Sequence, residues 1–380
     1  MMKIFGLYFA APSPTEMSEL DSEQTVSKHK PRAAFFKWYS VFMTVLSGLN
    51  VARYLPSFWV GVDFVPHLTV SRVTMICWIV QCFLYRLFLL RACWSSHRLP
   101  EYFNFFDQLM TDSCCIHLKP SCMKSRRFLV VIITLVWLVI VLVSASGIFY
   151  MATDVEPEYM VTICNPFPDK TGVKIAFLIF HTIEIGAWTF PVAFLVTLFR
   201  ILGDAFSSYT NELCKITKDE RAQFWEKMED IRVKHLQLCK AMTILNRDTK
   251  YLITVNFTTG IFLVCFNLYQ MVATNSAIHV LGYVRFSFWL VLNFSFMTSL
   301  SVTAANVNEK AHSPLEYIFD VEMDDVSRSE SLQLQLFLSK LNGPAIGFTV
   351  MGLITITKEL ILTLAGLVLT YFFLLLQFNI

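Results

Sequence analysis

FLVVIITLVWLVIVLVSASGIFY, residues Phe128 to Tyr150, carries no charged side chain over 23 residues. Wound as one α-helix it is about 34 Å long, against about 30 Å for the hydrocarbon core of a bilayer. Lipid offers the backbone no hydrogen-bond partner, so a crossing segment must be a helix or part of a closed barrel. The alternating ten-residue pattern of barrel strands is missing from this sequence, which leaves helices. Composition agrees. Of 380 residues, 55% are hydrophobic and 16% charged, there are 35 Phe, and mean hydropathy is +0.53. An ordinary soluble domain is about a quarter charged. So few charges could not cover so much apolar surface, which excludes most soluble enzymes, disordered proteins and nucleic-acid binders. A net charge of +2 gives no reason to expect a polyanionic partner.

Six more apolar segments lie around this one. They cover about residues 35–55, 68–90, 173–202, 251–272 and 281–305, and a last run after Gly343-Pro344 to Phe378. The segment 68–90 is interrupted by Arg72 and Arg86. The expected fold is an all-α polytopic membrane protein with seven transmembrane helices. Its parts are a cytoplasmic tail (1–34), spans one to four (35–203), a cytoplasmic helical anchor (204–250), spans five and six (251–305), a cytoplasmic loop (306–343) and a broken seventh helix (344–380). The apolar run Ile4–Ala11 is near the lower limit for a signal peptide, so the tail is expected to be disordered.

Orientation follows from Lys and Arg. The tail and the loops after spans two, four and six hold more than twenty; the loops after spans one, three and five hold only Lys170. The positive-inside rule then puts the amino terminus in the cytoplasm and the carboxyl terminus outside, opposite to a G-protein-coupled receptor. Ten cysteines are scattered without a CxxC pair or zinc spacing, and Cys164 stands alone in an external loop, so no disulfide scaffold is expected. Between spans four and five, Phe224, Met228, Ile231, His235, Leu238, Met242 and Leu245 recur in steps of four and three. Such a seam predicts helices running on into the cytoplasm, packed against their own protomer or another subunit.

Pro344 to Asn379 would measure about 54 Å as one helix, too long for a single crossing. Gly347 and Gly352 weaken its first part. Thr357 and Glu359 then suit a new start, a hydroxyl cap followed by an acid in the first turn. On a helical wheel Thr363, Thr370, Leu374 and Gln377 fall within about 60° of one another, with Gly366 and Glu359 at the edge. Such a stripe should avoid lipid. It fits a helix–helix contact, or a water-filled pore lined by several copies, with Glu359 favouring cations at the cytoplasmic mouth.

Thr370-Tyr371, five apolar residues from Phe372 to Leu376, and Gln377-Phe378 resemble the signature that ends the insect gustatory receptors. The inverted topology and the long loop after span four are similar to that family as well. The resemblance implies a ligand-gated nonselective cation channel in the cell membrane, for example of a sensory neuron dendrite. It implies a homotetramer, or assembly with co-receptor subunits, around the seventh helices, and a small-molecule pocket in the outer half of each protomer. It also implies Gln377 and Phe378 at the gate, Tyr371 supporting the pore helix, and a shared cytoplasmic anchor. Asn308-Glu309-Lys310, Pro314-Leu315 and Ala365-Gly366 vaguely resemble the sugar-receptor branch. That branch usually has Glu where this chain has Phe372, so sugars, bitter compounds and other small tastants all stay open.

Polar groups in spans usually face a cavity or a partner. The outer halves offer Arg72 and Trp78 in span two, His181, Glu184 and Trp188 in span four, Asn267, Tyr269 and Gln270 in span five, and Tyr283, Arg285 and Trp289 in span six. Aromatic faces beside hydrogen-bonding groups suit a small polar ligand. Each has a plainer reading. Arg72 can snorkel, His181 and Glu184 have HxxE metal spacing without a second pair, Glu184 and Arg285 can form a packing ion pair, and Trp and Tyr can belong to interfacial belts. No catalytic motif or cofactor site is found. A transporter of a small polar solute, the competing function, would want internal symmetry and mid-membrane charges in several spans.

Overall fold

A computed structural model of the chain describes residues 2, 7, 23–58, 66–95, 98–111, 122–153, 163, 164, 167, 170–219, 221–273, 280–319, 321 and 326–377. Among these, nearly everything is helical. The order is α1 Glu23–Tyr54 with a 3-10 turn at Leu55–Phe58, α2 Pro66–Cys93, α3 Leu99–Thr111, α4 Cys122–Thr153 and α5 Thr171–Asp219. There follow α6 Arg221–Ala273, α7 Val280–His312, α8 Pro314–Phe319, α9 Arg328–Leu341, a hairpin of β1 Thr349–Val350 and β2 Ile354–Thr355, and α10 Lys358–Gln377. Five stretches are long and apolar enough to cross a membrane: Val70–Cys93, Arg127–Thr153, Thr171–Lys218, Phe224–Met271 and Gly282–Phe319. The helix α1 overlaps the first expected span and α10 the last. It begins at Glu23, so the second part of the expected tail is helical, in keeping with its Glu, Gln and Lys residues.

The two longest helices have 49 and 53 residues, or about 74 and 80 Å, over twice the thickness of the hydrocarbon core. The halves of these helices around residues 204–250 pack as the heptad pattern requires. Phe224, Met228, Ile231, His235, Leu238, Met242 and Leu245 are all buried within their own protomer. The His235 ring lies against Phe206 and Tyr209 of α5 and Phe337 of α9, at 5.9, 5.6 and 5.1 Å between centroids. Its Nε2 is 3.0 Å from the Ala311 carbonyl of α7, and the Tyr209 hydroxyl donates to the Ile231 carbonyl at 3.0 Å. The docked helix α9 starts in a capping box, Ser327 with Glu330, and buries Leu334, Phe337 and Leu341. Within the apolar stretches, the hydroxyls of Thr134, Thr189 and Thr259 donate to carbonyls four residues earlier, so they need no other partner in lipid.

The last segment corrects one expectation. Residues 344–357 do not form the first part of a broken helix; they carry the β1–β2 hairpin, with Val350 opposite Ile354. Met351 (φ 56°) and Gly352 (φ 79°) both have positive φ, and the Leu353 N–H donates to the Val350 carbonyl at 3.0 Å, closing a turn of the kind that joins antiparallel strands. The β-branched residues Thr349, Val350, Ile354, Thr355 and Ile356 on either side favour extended backbone. The expected helix start holds: Thr357 Oγ1 accepts from the Leu360 N–H at 3.3 Å.

Truncating the buried ring in Phe337→Ala is expected to cost about 3–5 kcal/mol. It should loosen α9 from α6. Faster limited proteolysis near residues 326–341 and a lower melting temperature in detergent would register this; an unchanged pattern would refute the packing.

Candidate functional site

Within the bundle, α2, α5 and α7 bring their aromatic residues together. Trp78 lies 4.9 Å from the His181 ring and 6.1 Å from Trp289; Trp188 lies 5.5 Å from Trp289 and 4.7 Å from Phe296. Helical spacing explains this: His181, Glu184 and Trp188 repeat at three and four residues and so share one face of α5. Trp78, His181 and Trp188 are buried. Trp78 Nε1 and His181 Nε2 have no hydrogen-bond partner among the described residues. An indole N–H can only donate, so this polar atom on an aromatic wall calls for an acceptor that no described residue supplies.

On α5, between His181 and Trp188 of this cluster, Glu184 belongs to a buried charge pair. Arg86 Nε is 3.7 Å from Glu184 Oε1, with the two side chains 0% and 1% exposed. Arg86 also donates to the Ile183 carbonyl at 3.3 Å, and the Ser47 hydroxyl of α1 donates to Glu184 Oε2 at 3.2 Å. The pair thus ties α1, α2 and α5 together. It corrects the Glu184–Arg285 pairing: the Arg285 guanidinium instead lies over Phe286 at 4.8 Å and Tyr150 at 5.9 Å. A separate polar network reaches α6, where the Tyr85 hydroxyl donates to Asn256 Oδ1 at 2.9 Å and accepts from Gln81 Nε2 at 3.2 Å.

The remaining candidates separate. Gln270 Nε2 donates to Thr74 Oγ1 at 2.7 Å, joining α6 to α2. Asn267 spends its amide on the Leu263 carbonyl of its own helix at 2.7 Å. Arg72 is half-buried within electrostatic reach of Tyr54, Tyr269 is half-buried, and Tyr283 is 36% exposed. None of these five makes a described ring contact with the tryptophan cluster. Residue-by-residue reading missed Ser47, Gln81, Tyr85, Arg86, Asn256 and Phe296 as members. Arg86 had a usable signal, since a charge inside an apolar span calls for a partner.

On α10 the polar stripe is set apart from its own protomer. Val368 is buried against Val264 and Cys265 of α6, and Leu360 and Leu364 pack on the main core. Glu359, Thr363, Gly366, Thr370, Leu374 and Gln377 are exposed. At 100° per residue the stripe is centred about 120° from the face that carries Leu360, Leu364 and Val368. Apolar shoulders flank it: Leu362, Leu369 and Phe373 on one side, Leu367 and Tyr371 on the other, all exposed. Phe378 lies outside the described residues.

Removing one member of the buried pair leaves a bare charge, so Arg86→Met is expected to cost about 3–5 kcal/mol, and Arg86→Met with Glu184→Gln much less. Thermal melting of the detergent-purified variants measures this; equal losses in the two would contradict it.

Three comparisons bear on what such an architecture is. Residues 2–380 match the family model described as "7tm Chemosensory receptor". A gustatory receptor for sugar taste, 64a, from Drosophila melanogaster is 19% identical over 230 residues, covering 60% of this chain and 48% of its own length. The chain therefore spans about half the length of that curated relative. The insect olfactory receptor OR5 from Machilis hrabei has the same fold. The chain superposes on its eugenol complex with a TM-score of 0.73 at 16% identity, covering 100% of this chain and 96% of that one. A second structure of that receptor gives 0.70 at 17% identity. Matched from residue 2 to residue 380, this chain belongs to the 7tm chemosensory receptor family, whose members are receptors and not enzymes.

Proposed function

We propose that this chain is a gustatory receptor that acts as a ligand-gated nonselective cation channel, opened by a small extracellular tastant. Four copies surround a pore lined by α10. Each spans the cell membrane seven times, with its amino terminus inside and its carboxyl terminus outside, α1 and α10 being the first and last spans. The observation that carries this reading is the exposed stripe of Glu359, Thr363, Gly366, Thr370, Leu374 and Gln377, turned away from the face that α10 packs on its own protomer. The Glu359 carboxylate and the Gln377 amide are costly facing lipid and not facing water, while the Thr363 and Thr370 hydroxyls, which donate to the Glu359 and Gly366 carbonyls at 3.0 and 2.9 Å, are satisfied in either setting. The apolar shoulders supply contact for neighbouring copies of the same helix, and the stripe between them faces a water-filled axis. Exposed Leu236, Phe319, Leu332 and Leu336 on the cytoplasmic helices, where no lipid would cover them, fit subunit contacts in the anchor.

Glu359 then forms a ring of carboxylates at the cytoplasmic mouth, which attracts cations. Gln377 and Phe378 form the outer constriction. The tastant occupies the outer aromatic cluster: Trp78, Trp188 and Trp289 present faces to its body, and His181 and the Trp78 N–H meet its polar groups. Arg72, Glu184, Asn267, Tyr269, Gln270, Tyr283 and Arg285 shape the surrounding walls and their packing. The sugar-taste relative supports a sugar ligand, and the eugenol bound to the receptor of like fold supports an aromatic one. The place of action in this reading is the dendrite of a sensory neuron, alone or with co-receptor subunits.

Whole-cell and single-channel recording from cells expressing the chain, challenged with a panel of sugars and with eugenol, tests the proposal. Glu359→Lys should lower cation conductance several-fold and shift the reversal potential toward anions; Gln377→Ala should alter unitary conductance. Unchanged permeation in both would remove α10 from the pore. Trp289→Ala should raise the half-maximal concentration of the active compound about tenfold or more, as loss of a central aromatic anchor does, and leave unitary conductance alone.

A further inference from the structure

The hairpin before α10 is held by side chains from three helices. Asn246 of α6 bonds Thr349 twice: its Nδ2 donates to Thr349 Oγ1 at 2.9 Å, and its Oδ1 accepts from the Thr349 N–H at 3.0 Å. Thr254, two turns further along α6, accepts from the Met351 N–H at 2.8 Å while donating to the Lys250 carbonyl at 2.7 Å. Asn308 of α7 donates to the Ile346 carbonyl at 2.9 Å. His312, at the end of α7, accepts from the Ile346 N–H through Nε2 at 3.0 Å. A backbone N–H can only donate, so the ring proton sits on Nδ1, which lies 2.9 Å from the Leu341 carbonyl at the end of α9. From α5, the Phe199 ring stacks on Phe348 at 3.7 Å between centroids. Ile346, Phe348 and Ile356 are buried. At Gly347 even a methyl group would meet Thr355 Cγ2 at 2.8 Å and Asn308 Cβ at 3.3 Å. Met351 is held in the left-handed region, an uncommon state for a residue with a side chain, which persists where the surroundings over-determine it.

The helix that follows is treated differently along its length. Its foot adjoins this built cluster and is tied further by Lys358 to Glu309 at 2.8 Å. Val368 is its last buried residue among the described side chains. The helices that grip the hairpin also reach the outer site: α7 carries Trp289 and, about 28 Å along the same rod, Asn308, while α6 carries Gln270 and Asn246.

We propose that the hairpin is a clamp that passes movements of α6 and α7 to the foot of α10. Asn246, Thr254, Asn308 and His312 are its positioning residues: they set the balance between closed and open pore without touching tastant or ion. This rests on the pore reading above. The bonds belong to the conformation described, so removing any one of them favours other positions of α10.

The test uses the full chain in cells. Leu374→Cys on the stripe is exposed to a charged, membrane-impermeant methanethiosulfonate added outside without tastant, and the modification rate is read from the current. Thr254→Val, which keeps the side-chain shape, and Asn308→Asp, which keeps the size but loses the donor, should each raise that rate and the tastant-free current about five-fold, the net worth of one hydrogen bond, at unchanged unitary conductance. Asn246→Ala and Thr349→Val should be non-additive when combined. Surface labelling verifies folding. If well-expressed variants leave rate and current within two-fold of the parent, or slow them, the clamp is overturned. If Leu374→Cys and Thr370→Cys resist modification in the parent background even while an active compound from the sugar and eugenol panel holds the current on, the pore reading fails instead, and with it the clamp.

Discussion

The α10 helix spends one face on the rest of the chain and leaves a polar face over: Val368 and Leu364 take the inner side, and Glu359, Thr363, Thr370 and Gln377 stand away from it. In the proposed reading, where α10 crosses the membrane, the carboxylate and the amide of that face need water or a neighbouring copy. Most of what is distinctive in the rest of the molecule can be understood as support for that helix: the hairpin at its foot, the long α6 and α7 that hold the hairpin, and the buried contacts that make those two helices rigid.

The polar groups inside the bundle follow the same logic at a smaller scale. Arg86 and Glu184 are both nearly inaccessible, and each is accepted there because the other is near and because Ser47 and the Ile183 carbonyl supply further bonds. Such a pair is weak evidence for stability, since apolar residues often do as well. What it does here is join three helices at the level of the aromatic cluster, Glu184 lying between His181 and Trp188 on α5. A separate bond, Tyr85 to Asn256, ties α2 to α6, the helix whose other half holds Thr349 and Met351 of the hairpin. Aromatic cluster, ion pair and hairpin share helices: α5 carries Trp188, Glu184 and Phe199, and α7 carries Trp289 and Asn308.

Much was legible from residues alone. The charge-free run Phe128–Tyr150 announces a membrane helix without any tertiary context, and the seam from Phe224 to Leu245 announces a packing face, every member of which is buried. Trp78, His181, Trp188 and Trp289 could be nominated because polar and aromatic residues in apolar spans are few. The partner of Glu184 could not. Arg285 and Arg86 are both candidates in sequence, on different helices, and only the relative rotation of α2, α5 and α7 selects one. The hairpin was missed because glycines were weighed as helix breakers, while the β-branched residues around Met351-Gly352 were not weighed as strand formers.

By itself the sequence determined the solvent of each segment, because transfer of apolar and charged groups depends on composition and is summed along the chain. It determined the heptad packing face, and the start of α10 at Thr357, because periodicity and capping are local. Only the tertiary structure decided which face of α10 was left over, which arginine met Glu184, and that Asn246, Thr254, Asn308 and His312 converge on one hairpin. Each of these is a contact between residues far apart in the chain, set by how rods of fixed length are rotated against one another, and no local pattern carries that rotation.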